Sequence, residues 1–175
     1  VDGVEIQIRG AVSYYPKQGR VQLIMSLIDP AFTLGQLAAA KAELVQALKS
    51  EGLLDANRSH PFPMLPLRVG LVTSAGSAAE ADFVNHLRAT NLPFEITLFD
   101  ARVQGDEAPT AIAGAIDHAG ETDLDVIAVV RGGGAKTDLA AFDHELVARA
   151  IASSPLPVVV GVGHETDRSV ADEVA

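Results

Sequence analysis

From Arg68 onward, short valine-rich runs alternate with longer segments that carry the start and stop signals of helices. The apolar runs have the composition of strands that are buried on both faces. This alternation predicts an α/β fold, in which an open, mostly parallel sheet carries helices on both faces. Strands are predicted over 69–73, 94–99, 124–130 and 158–162, and helices over about 78–90, 109–120 and 139–152, with a further helix starting near Asp167.

Residues that favour helix ends support these boundaries. Ser77 is followed three positions later by Glu80, which is the pattern of a capping box. Asp138 is placed to cap the helix over 139–152, and Asp167 is placed to cap the last helix. The chain therefore has a plausible N-cap for each of these three helices.

The first part of the chain has a different pattern. Alternating apolar residues predict strands over 4–12 and 21–28, joined by a turn at 14–19. A hairpin by itself is marginally stable in water. We therefore expect this hairpin to belong to a larger β-domain.

A helix and a linker are predicted to follow the hairpin. Thr33 and Gln36 have the spacing of a capping box for a helix over about 34–51, and Gly52 is a natural residue to end it. The segment 57–66 contains three prolines and is predicted to be a linker.

Composition excludes several classes of protein. The 175 residues include no cysteine, which excludes thiol catalysis, disulfides and thiolate metal sites. The absence of cysteine also fits a cytoplasmic protein. No apolar run reaches the ~18 residues of a membrane span, and no signal-peptide pattern opens the chain, so we expect no membrane contact. The formal net charge of −10 argues against a broad electrostatic contact with nucleic acid, although a few placed cations could still form a local site.

Three of the predicted strands end in turns that are rich in small and polar residues, at 73–82, 131–136 and 161–167. Because parallel strands end at the same edge of a sheet, we expect these turns to lie close together where such sheets bind ligands. Helix N-termini at this edge add N–H donors that favour phosphate. His164, Glu165 and Asp167 bring a proton carrier and two carboxylates to the same edge.

Each of these features also has an ordinary structural interpretation. The glycines at 132–134 could form only a tight connection, and Arg131 could form only a surface ion pair. Asp82 could be a solvated helix residue, and Asp167 could be only an N-cap. Their joint occurrence with His164 at one edge favours a functional site.

Four motifs follow one another at characteristic spacing, at Val72–Asp82, Val103–Pro109, Arg131–Phe142 and Gly163–Asp167. They read as a Val-Thr-Ser turn ending in Asp, Val-Gln-Gly-x-x-Ala-Pro, Arg-Gly-Gly-Gly-x-x-x-Asp-Leu-x-x-Phe and Gly-His-Glu-Thr-Asp. In these motifs the chain resembles the exodeoxyribonuclease VII large-subunit family over essentially its whole length.

The resemblance implies a domain organisation. Residues 1–30 would be the end of an N-terminal OB-fold that binds single-stranded DNA, and 31–66 would form a connecting helix and linker. Residues 67–175 would be most of an α/β nuclease domain, truncated at its C-terminus. The chain is thus expected to be a fragment of a longer protein.

The resemblance also implies a function, namely an exonuclease subunit that hydrolyses the phosphodiester bonds of single-stranded DNA to oligonucleotides. It assigns the catalytic positions to Asp82, Arg131, His164 and Asp167. The expected partners are single-stranded DNA and several copies of the small subunit, which would bind through a C-terminal region that this chain lacks.

Phosphodiester hydrolysis suggests a role for each residue. His164 suits general acid–base catalysis near neutral pH, and Arg131 would hold the scissile phosphate by bidentate contacts. Asp82 and Asp167 would orient His164 and a water molecule, or would hold Mg²⁺ or Mn²⁺. Because the family is noted for acting without added divalent ion, the resemblance leaves the metal open. Further phosphate contacts are expected from Ser74, Ser77, Gly132, Gly133 and Gly134.

Two other functions remain open at this point. The same edge could bind a nucleotide or a sugar phosphate without any chemistry, in which case His164 and Asp167 would tolerate substitution. Alternatively, the chain could be an inactive interaction fragment whose helices over 34–51 and 138–152 pack against a partner.

Overall fold

The computed structural model describes residues 7–16, 19–132, 136–162 and 168–175. The chain divides into two compact units, Val1–Glu43 and Leu44–Ala175. The described part of the first unit contains an antiparallel pair of strands, and that of the second contains a four-stranded sheet.

The hairpin of the first unit consists of strands β1 (Gln7–Tyr15) and β2 (Arg20–Asp29). Both predicted strands are confirmed, although 4–6 lie outside the described residues. The pairing register shifts next to Gly10, where a β-carbon would lie 2.7 Å from the carbonyl oxygen of Ile24, so this bulge requires glycine. Several apolar side chains of the two strands are exposed, namely Val12, Tyr14, Val21, Leu23, Met25 and Leu27.

Helix α1 (Pro30–Ser50) begins earlier than the sequence predicts. Proline fits the first helical position, because the N–H that it lacks would have no partner there. Thr33 therefore lies inside the helix, and the predicted capping box of Thr33 and Gln36 is wrong. The helix has 21 residues, yet no helix in the described part of the chain is long and apolar enough to cross a membrane.

The other end of α1 confirms the prediction for Gly52. This glycine has a φ of 75°, which side chains rarely adopt. Its N–H donates to the carbonyl of Lys49, and the N–H of Leu53 donates to the carbonyl of Leu48. These two bonds form a Schellman motif, so the chain leaves the helix in a defined direction.

The parallel sheet contains all four predicted strands, namely β3 (Arg68–Thr73), β4 (Glu95–Asp100), β5 (Val126–Val130) and β6 (Val158–Gly161). Their spatial order is β4-β3-β5-β6, and every pair is parallel. The predicted open parallel sheet is therefore confirmed.

Helices cover both faces of this sheet, as predicted. They are α2 (Ala78–Ala89), α3 (Ala108–Gly120), α4 (Glu145–Ser153) and α5 (Val170–Val174). On one face, Val69, Leu71, Val126 and Ala128 pack against Phe83, Val84 and Leu87 of α2. On the other face, Val72, Ile127 and Val129 belong to one cluster with Ile112, Ile116, Val147, Ile151 and Val170 of α3, α4 and α5.

The predicted helix over 139–152 is interrupted. A 3-10 helix covers Lys136–Asp143, and α4 follows with His144 as its N-cap, so the prediction of Asp138 as the cap is wrong. Phe142 and Val147 are both fully buried, but five positions on one continuous helix would separate them by about 140°. The break lets both side chains reach the same core.

The last helix starts later than predicted. Its N-cap is Ser169, whose hydroxyl accepts from the N–H of Asp172 while the carboxylate of Asp172 accepts from Ser169, forming a capping box. The expectation that Asp167 caps this helix is therefore wrong. Asp167 itself lies outside the described residues.

The first residues of the predicted linker are firmly attached to the sheet domain. Asn57 is 3% exposed. Its amide donates to the carbonyl of Ile151 at 3.3 Å and accepts from the N–H of Val158 at 3.3 Å. A ring nitrogen of His60 lies 2.9 Å from the carbonyl oxygen of Ser154. The segment 57–60 thus fastens the chain to the connection between α4 and β6.

An ion pair links the amino-terminal ends of β3 and β5, between Arg68 and Asp125. The guanidinium of Arg68 donates to Asp125 Oδ1 at 2.7 and 3.1 Å, and the backbone N–H of Arg68 donates to Asp125 Oδ2 at 2.8 Å. Asp123 also pairs with Arg68. The bonds from the side chain and then from the backbone of Arg68 lower the pKa of Asp125 below its ordinary value.

This lowered pKa predicts a loss of stability in acid. The unfolded pKa of an aspartate is about 3.9, so the ion pair stabilises the fold above that pH, and its contribution is lost as the pH falls through the lower native pKa. In thermal unfolding between pH 7 and pH 3, the difference in Tm between the wild type and Asp125→Asn should shrink as the pH falls. A difference in Tm that stays constant with pH would contradict this role.

Candidate active site

The order in which the chain adds strands to the sheet reverses between β3 and β5. From β3 it continues to β4 at one edge, and from β5 it continues to β6 at the other. In open α/β sheets, a crevice forms at the carboxyl ends of the two strands where such a reversal occurs. The turns that follow β3 and β5 flank this position, and they contain Ser74, Ser77, Arg131 and Gly132.

The turn after β3 ends in the predicted cap of α2. The hydroxyl of Ser77 accepts from the N–H of Glu80 at 3.2 Å, and the carboxylate of Glu80 accepts from the N–H of Gly76 at 2.6 Å. The first two N–H groups of the helix, those of Ala78 and Ala79, have no acceptor within the helix. They are therefore the backbone donors best placed to bind an anion.

The start of the same turn is attached to the end of β4. The hydroxyl of Ser74 donates to the carbonyl of Ala101 at 2.9 Å, and the N–H of Ala75 donates to Asp100 Oδ1 at 2.8 Å. A phosphate contact from the hydroxyl hydrogen of Ser74 would replace its bond to Ala101. Ser77 is better suited to this contact, because its oxygen accepts the cap bond and its hydrogen is still available.

The structure brings the turn after β5 against the first turn of α2. A β-carbon on Gly132 would lie 3.6 Å from both the nitrogen and the β-carbon of Ala79. Arg131 is half-buried. Its backbone N–H donates to the carbonyl of Gly161 at 3.2 Å, which extends the pairing of β5 with β6. A guanidinium-bearing residue, a glycine and a helix N-terminus are therefore neighbours at this edge.

Asp82 lies one turn further along α2 and is exposed. Three positions separate it from Ala79, and residues at this spacing are neighbours on the surface of a helix. Because Ala79 lies next to Gly132, the position of Asp82 is on the side of α2 nearer to the turn after β5. Its backbone carbonyl oxygen lies 2.7 Å from a ring nitrogen of His86.

Four of the predicted site residues, Gly133, Gly134, His164 and Asp167, lie outside the described residues. The segment that contains His164 and Asp167 follows β6 directly, and β6 ends at Gly161 beside Arg131. The placement of His164 and Asp167 within the site stays a prediction.

Two residues near the site were not singled out by the sequence analysis. Asp100 holds the turn after β3, and it could have been found because it ends β4, the one strand of the sheet whose end was not considered. Thr73 ends β3, is fully buried, and its hydroxyl has no hydrogen-bond partner within the described ranges. A buried hydroxyl without a partner is destabilising, and no local sequence signal reveals it.

The family of the chain follows from a comparison with known proteins. The family model for the large subunit of exonuclease VII matches residues 53–175. The chain belongs to the exonuclease VII large-subunit family. The match includes every strand of the parallel sheet and the positions of Asp82, Arg131, His164 and Asp167.

Named relatives of this exonuclease VII family member match nearly all of the chain. The exodeoxyribonuclease 7 large subunit of Moorella thermoacetica is 47% identical over 175 residues, covering 99% of this chain and 43% of that protein. The protein of the same name from Azotobacter vinelandii is 41% identical over 174 residues, covering 99% of this chain and 38% of that protein. The chain thus spans about two fifths of the length of these relatives.

Proposed function

We propose that this chain carries the active site of an exodeoxyribonuclease that hydrolyses phosphodiester bonds of single-stranded DNA to oligonucleotides. The observation that best supports this function is the contact of Gly132 with the first turn of α2, directly beside Arg131. A cation and free backbone donors at the switch point of the sheet suit a phosphate group. The reaction that we propose is taken from the relatives, which are named exodeoxyribonucleases.

Arg131 and α2 would stabilise charge on the phosphorus oxygens. The guanidinium of Arg131 can make two parallel hydrogen bonds to one phosphate. The N–H groups of Ala78 and Ala79 and the hydroxyl of Ser77 would bind the same group, together with the amides of Gly132–Gly134. Donors that are held in place before the reaction stabilise the transition state most strongly.

Proton transfer would be carried out by the segment after β6. His164 would act as the general acid or base, since its ordinary pKa lies near neutral pH. Asp167 and Asp82 would orient the imidazole ring and the attacking water. The exposure of Asp82 on the side of α2 nearer to the turn after β5 supports this role.

A divalent ion is compatible with these residue types. Mg²⁺ and Mn²⁺ prefer oxygen ligands, which Asp82 and Asp167 would supply, with His164 as a further donor. Within the described ranges, no three acidic or histidine side chains are grouped closely enough to hold a metal. A metal would therefore depend on residues 163–167, and its chemistry would be the polarisation of a water or phosphate oxygen.

The exposed apolar side chains of β1 and β2 support a second part of the proposal. A two-stranded hairpin does not bury a core by itself. We assign residues 1–30 to an OB-fold that binds single-stranded DNA, 31–66 to the connection, and 67–175 to the nuclease domain. We also propose that the protein acts in the cytoplasm and that several copies of the small subunit bind it through a region outside this chain.

The test uses the full-length large subunit assembled with its small subunit. End-labelled single-stranded and duplex oligonucleotides of the same sequence are incubated with the wild type and with His164→Ala, each with and without EDTA. The wild type should convert the single strand to short oligonucleotides and leave the duplex intact, and His164→Ala should not cleave. Binding without cleavage by the wild type would instead indicate a phosphate-binding module, and near-normal cleavage by His164→Ala would disprove the role of that residue.

A further inference from the structure

We propose that the hydroxyl of Thr73 binds the phosphate group at the start of α2; this inference rests on the proposed function. Thr73 is the last residue of β3, and its side chain is fully buried. Within the described part of the chain, its hydroxyl has no hydrogen-bond partner. Such a hydroxyl costs free energy, because bulk water cannot supply the missing bond. A ligand that accepts a hydrogen bond from Thr73 would recover this free energy.

Strand geometry places the side chain of Thr73 on the face of the sheet that α2 covers. Side chains alternate between the two faces of a strand, so Thr73 shares a face with Val69 and Leu71. Both of these side chains pack in one cluster with residues of α2. Thr73 lies at the carboxyl end of β3, and α2 begins after the turn that follows. The hydroxyl therefore lies on the side of the sheet where α2 starts.

The neighbouring strand approaches the same end of α2. The register of β5 with β3 sets Thr73 level with Val130. Two positions after Val130, a β-carbon on Gly132 would lie 3.6 Å from the nitrogen of Ala79. The N–H of Ala79 is one of the donors at the start of α2 that have no acceptor within the helix. The buried hydroxyl and the helix donors thus belong to the same corner of the fold.

Thr73 also has more unused bonding capacity than the other hydroxyls of this turn. The hydroxyl of Ser74 donates to the carbonyl of Ala101, and that of Ser77 accepts the cap bond from Glu80. A hydroxyl can donate one hydrogen bond and accept two. Neither capacity of Thr73 is used among the described residues. Because an ionised phosphate oxygen accepts hydrogen bonds, Thr73 Oγ1 would be the donor in the bond to phosphate.

A role in packing alone predicts a different effect of valine at this position. Valine has nearly the shape of threonine, favours strands equally and leaves no hydroxyl without a partner. If Thr73 only packed against its neighbours, Thr73→Val should increase stability without any loss of activity. Binding of phosphate by the hydroxyl predicts a gain in stability together with a loss of activity, so the two measurements separate the two roles.

The test measures Tm and the cleavage of a labelled single-stranded oligonucleotide by the assembled full-length enzyme. Thr73→Val should lower kcat/KM by about 10- to 100-fold, as for the loss of one hydrogen bond to a charged group, with a Tm at or above that of the wild type. Thr73→Ser keeps the hydroxyl and should keep kcat/KM within about threefold, with a lower Tm because a buried methyl group is lost. If the valine variant does not fold, Thr73→Ala replaces it in the comparison with serine.

Thr122→Val is the matched control, because the hydroxyl that it removes has a partner within the chain. Thr122 follows α3, and its hydroxyl donates to the carbonyl of Ala119 at 2.7 Å. This variant should keep kcat/KM within about twofold of the wild type, since it changes a distant part of the sheet domain. Three results would each overturn the proposal: wild-type kcat/KM for Thr73→Val, equal losses for valine and serine at position 73, or equal losses at positions 73 and 122.

Binding of inorganic phosphate separates this proposal from the proposed function. Calorimetric titration of the same assembled proteins with inorganic phosphate requires no cleavage. The Kd should rise by about 10-fold or more in Thr73→Val and stay within about threefold of the wild type in Thr73→Ser. If the wild type shows this pattern but cleaves no DNA, the proposed function fails and the role of Thr73 stands. An equal Kd for the wild type and Thr73→Val, or no phosphate binding by the wild type, would overturn that role even in an active enzyme.

Discussion

Replacing Arg131 with alanine should lower kcat/KM for single-strand cleavage by about a thousandfold, which corresponds to ~4 kcal/mol of transition-state stabilisation. Arg131 lies beside Gly132 and the first turn of α2, where the proposed site holds the phosphate. Arg131→Lys should recover only part of this loss, because an ammonium group cannot make the paired contacts of a guanidinium. Steady-state kinetics of the assembled full-length enzyme on a labelled oligonucleotide measure both effects.

Arg102→Ala provides the control for charge at the same edge of the sheet. Arg102 follows β4 and forms an exposed ion pair with Glu107 at 2.7 Å. Its loss should change kcat/KM by no more than about twofold, since exposed ion pairs contribute little. Comparable losses for the variants at 102 and 131 would show that the edge needs only positive charge.

Replacing Phe142 with alanine should lower the free energy of unfolding by about 3 to 5 kcal/mol. Phe142 is the largest of the fully buried side chains among the described residues. Its ring lies in the main core cluster, where a cavity would be left behind. Urea unfolding, followed by circular dichroism, gives the change directly as a shift of the midpoint at constant slope.

Leu146→Ala is the corresponding control for Phe142. Leu146 lies four positions away on α4 and is 47% exposed, so its truncation should cost less than about 1 kcal/mol. If the two variants lost equal stability, the packing assigned to Phe142 would be wrong. A large loss confined to Phe142→Ala would support the packing of Phe142 in the core.

The hydrogen bonds of the turn after β3 limit where a phosphate can bind. Asp100 and Glu80 accept from the backbone N–H groups of Ala75 and Gly76, so the chain's own carboxylates occupy these donors. The proposed phosphate position is therefore shifted toward the start of α2 and Arg131. This distinction depends on bonds between β4 and the turn, which the residue types alone do not reveal.

The sheet could be predicted from the sequence because its signals are local. Buried strands such as β5 appear as short valine-rich runs, and Ser77 caps α2 as expected, although Glu80 accepts from Gly76 and not from Ser77, so the reciprocal half of the predicted capping box is wrong. In contrast, the N-caps predicted at Thr33, Asp138 and Asp167 were wrong. The last helix begins instead at another local signal, the capping box of Ser169 and Asp172, whereas α4 begins after a break that lets Phe142 and Val147 reach the same core.

Asn57 illustrates the same difficulty in a segment predicted to be a linker. Nearby prolines indicate irregular backbone, and this local inference says nothing about partners elsewhere in the chain. The bonds from Asn57 reach Ile151 and Val158, about a hundred residues later in the sequence. Contacts at such separation follow from the fold and cannot be derived from spacing.

By itself, the sequence determined that this chain forms a parallel α/β sheet, because strand periodicity is a property of neighbouring residues. It also determined that Asp82, Arg131, His164 and Asp167 belong to the segments that follow three of the strands. Only the tertiary structure decided which of these strand ends meet. The order β4-β3-β5-β6 places β5 beside β3, so that Gly132, the residue after Arg131, approaches Ala79 in the first turn of α2. Strand order depends on the packing of helices against both faces, which acts between residues far apart in the chain.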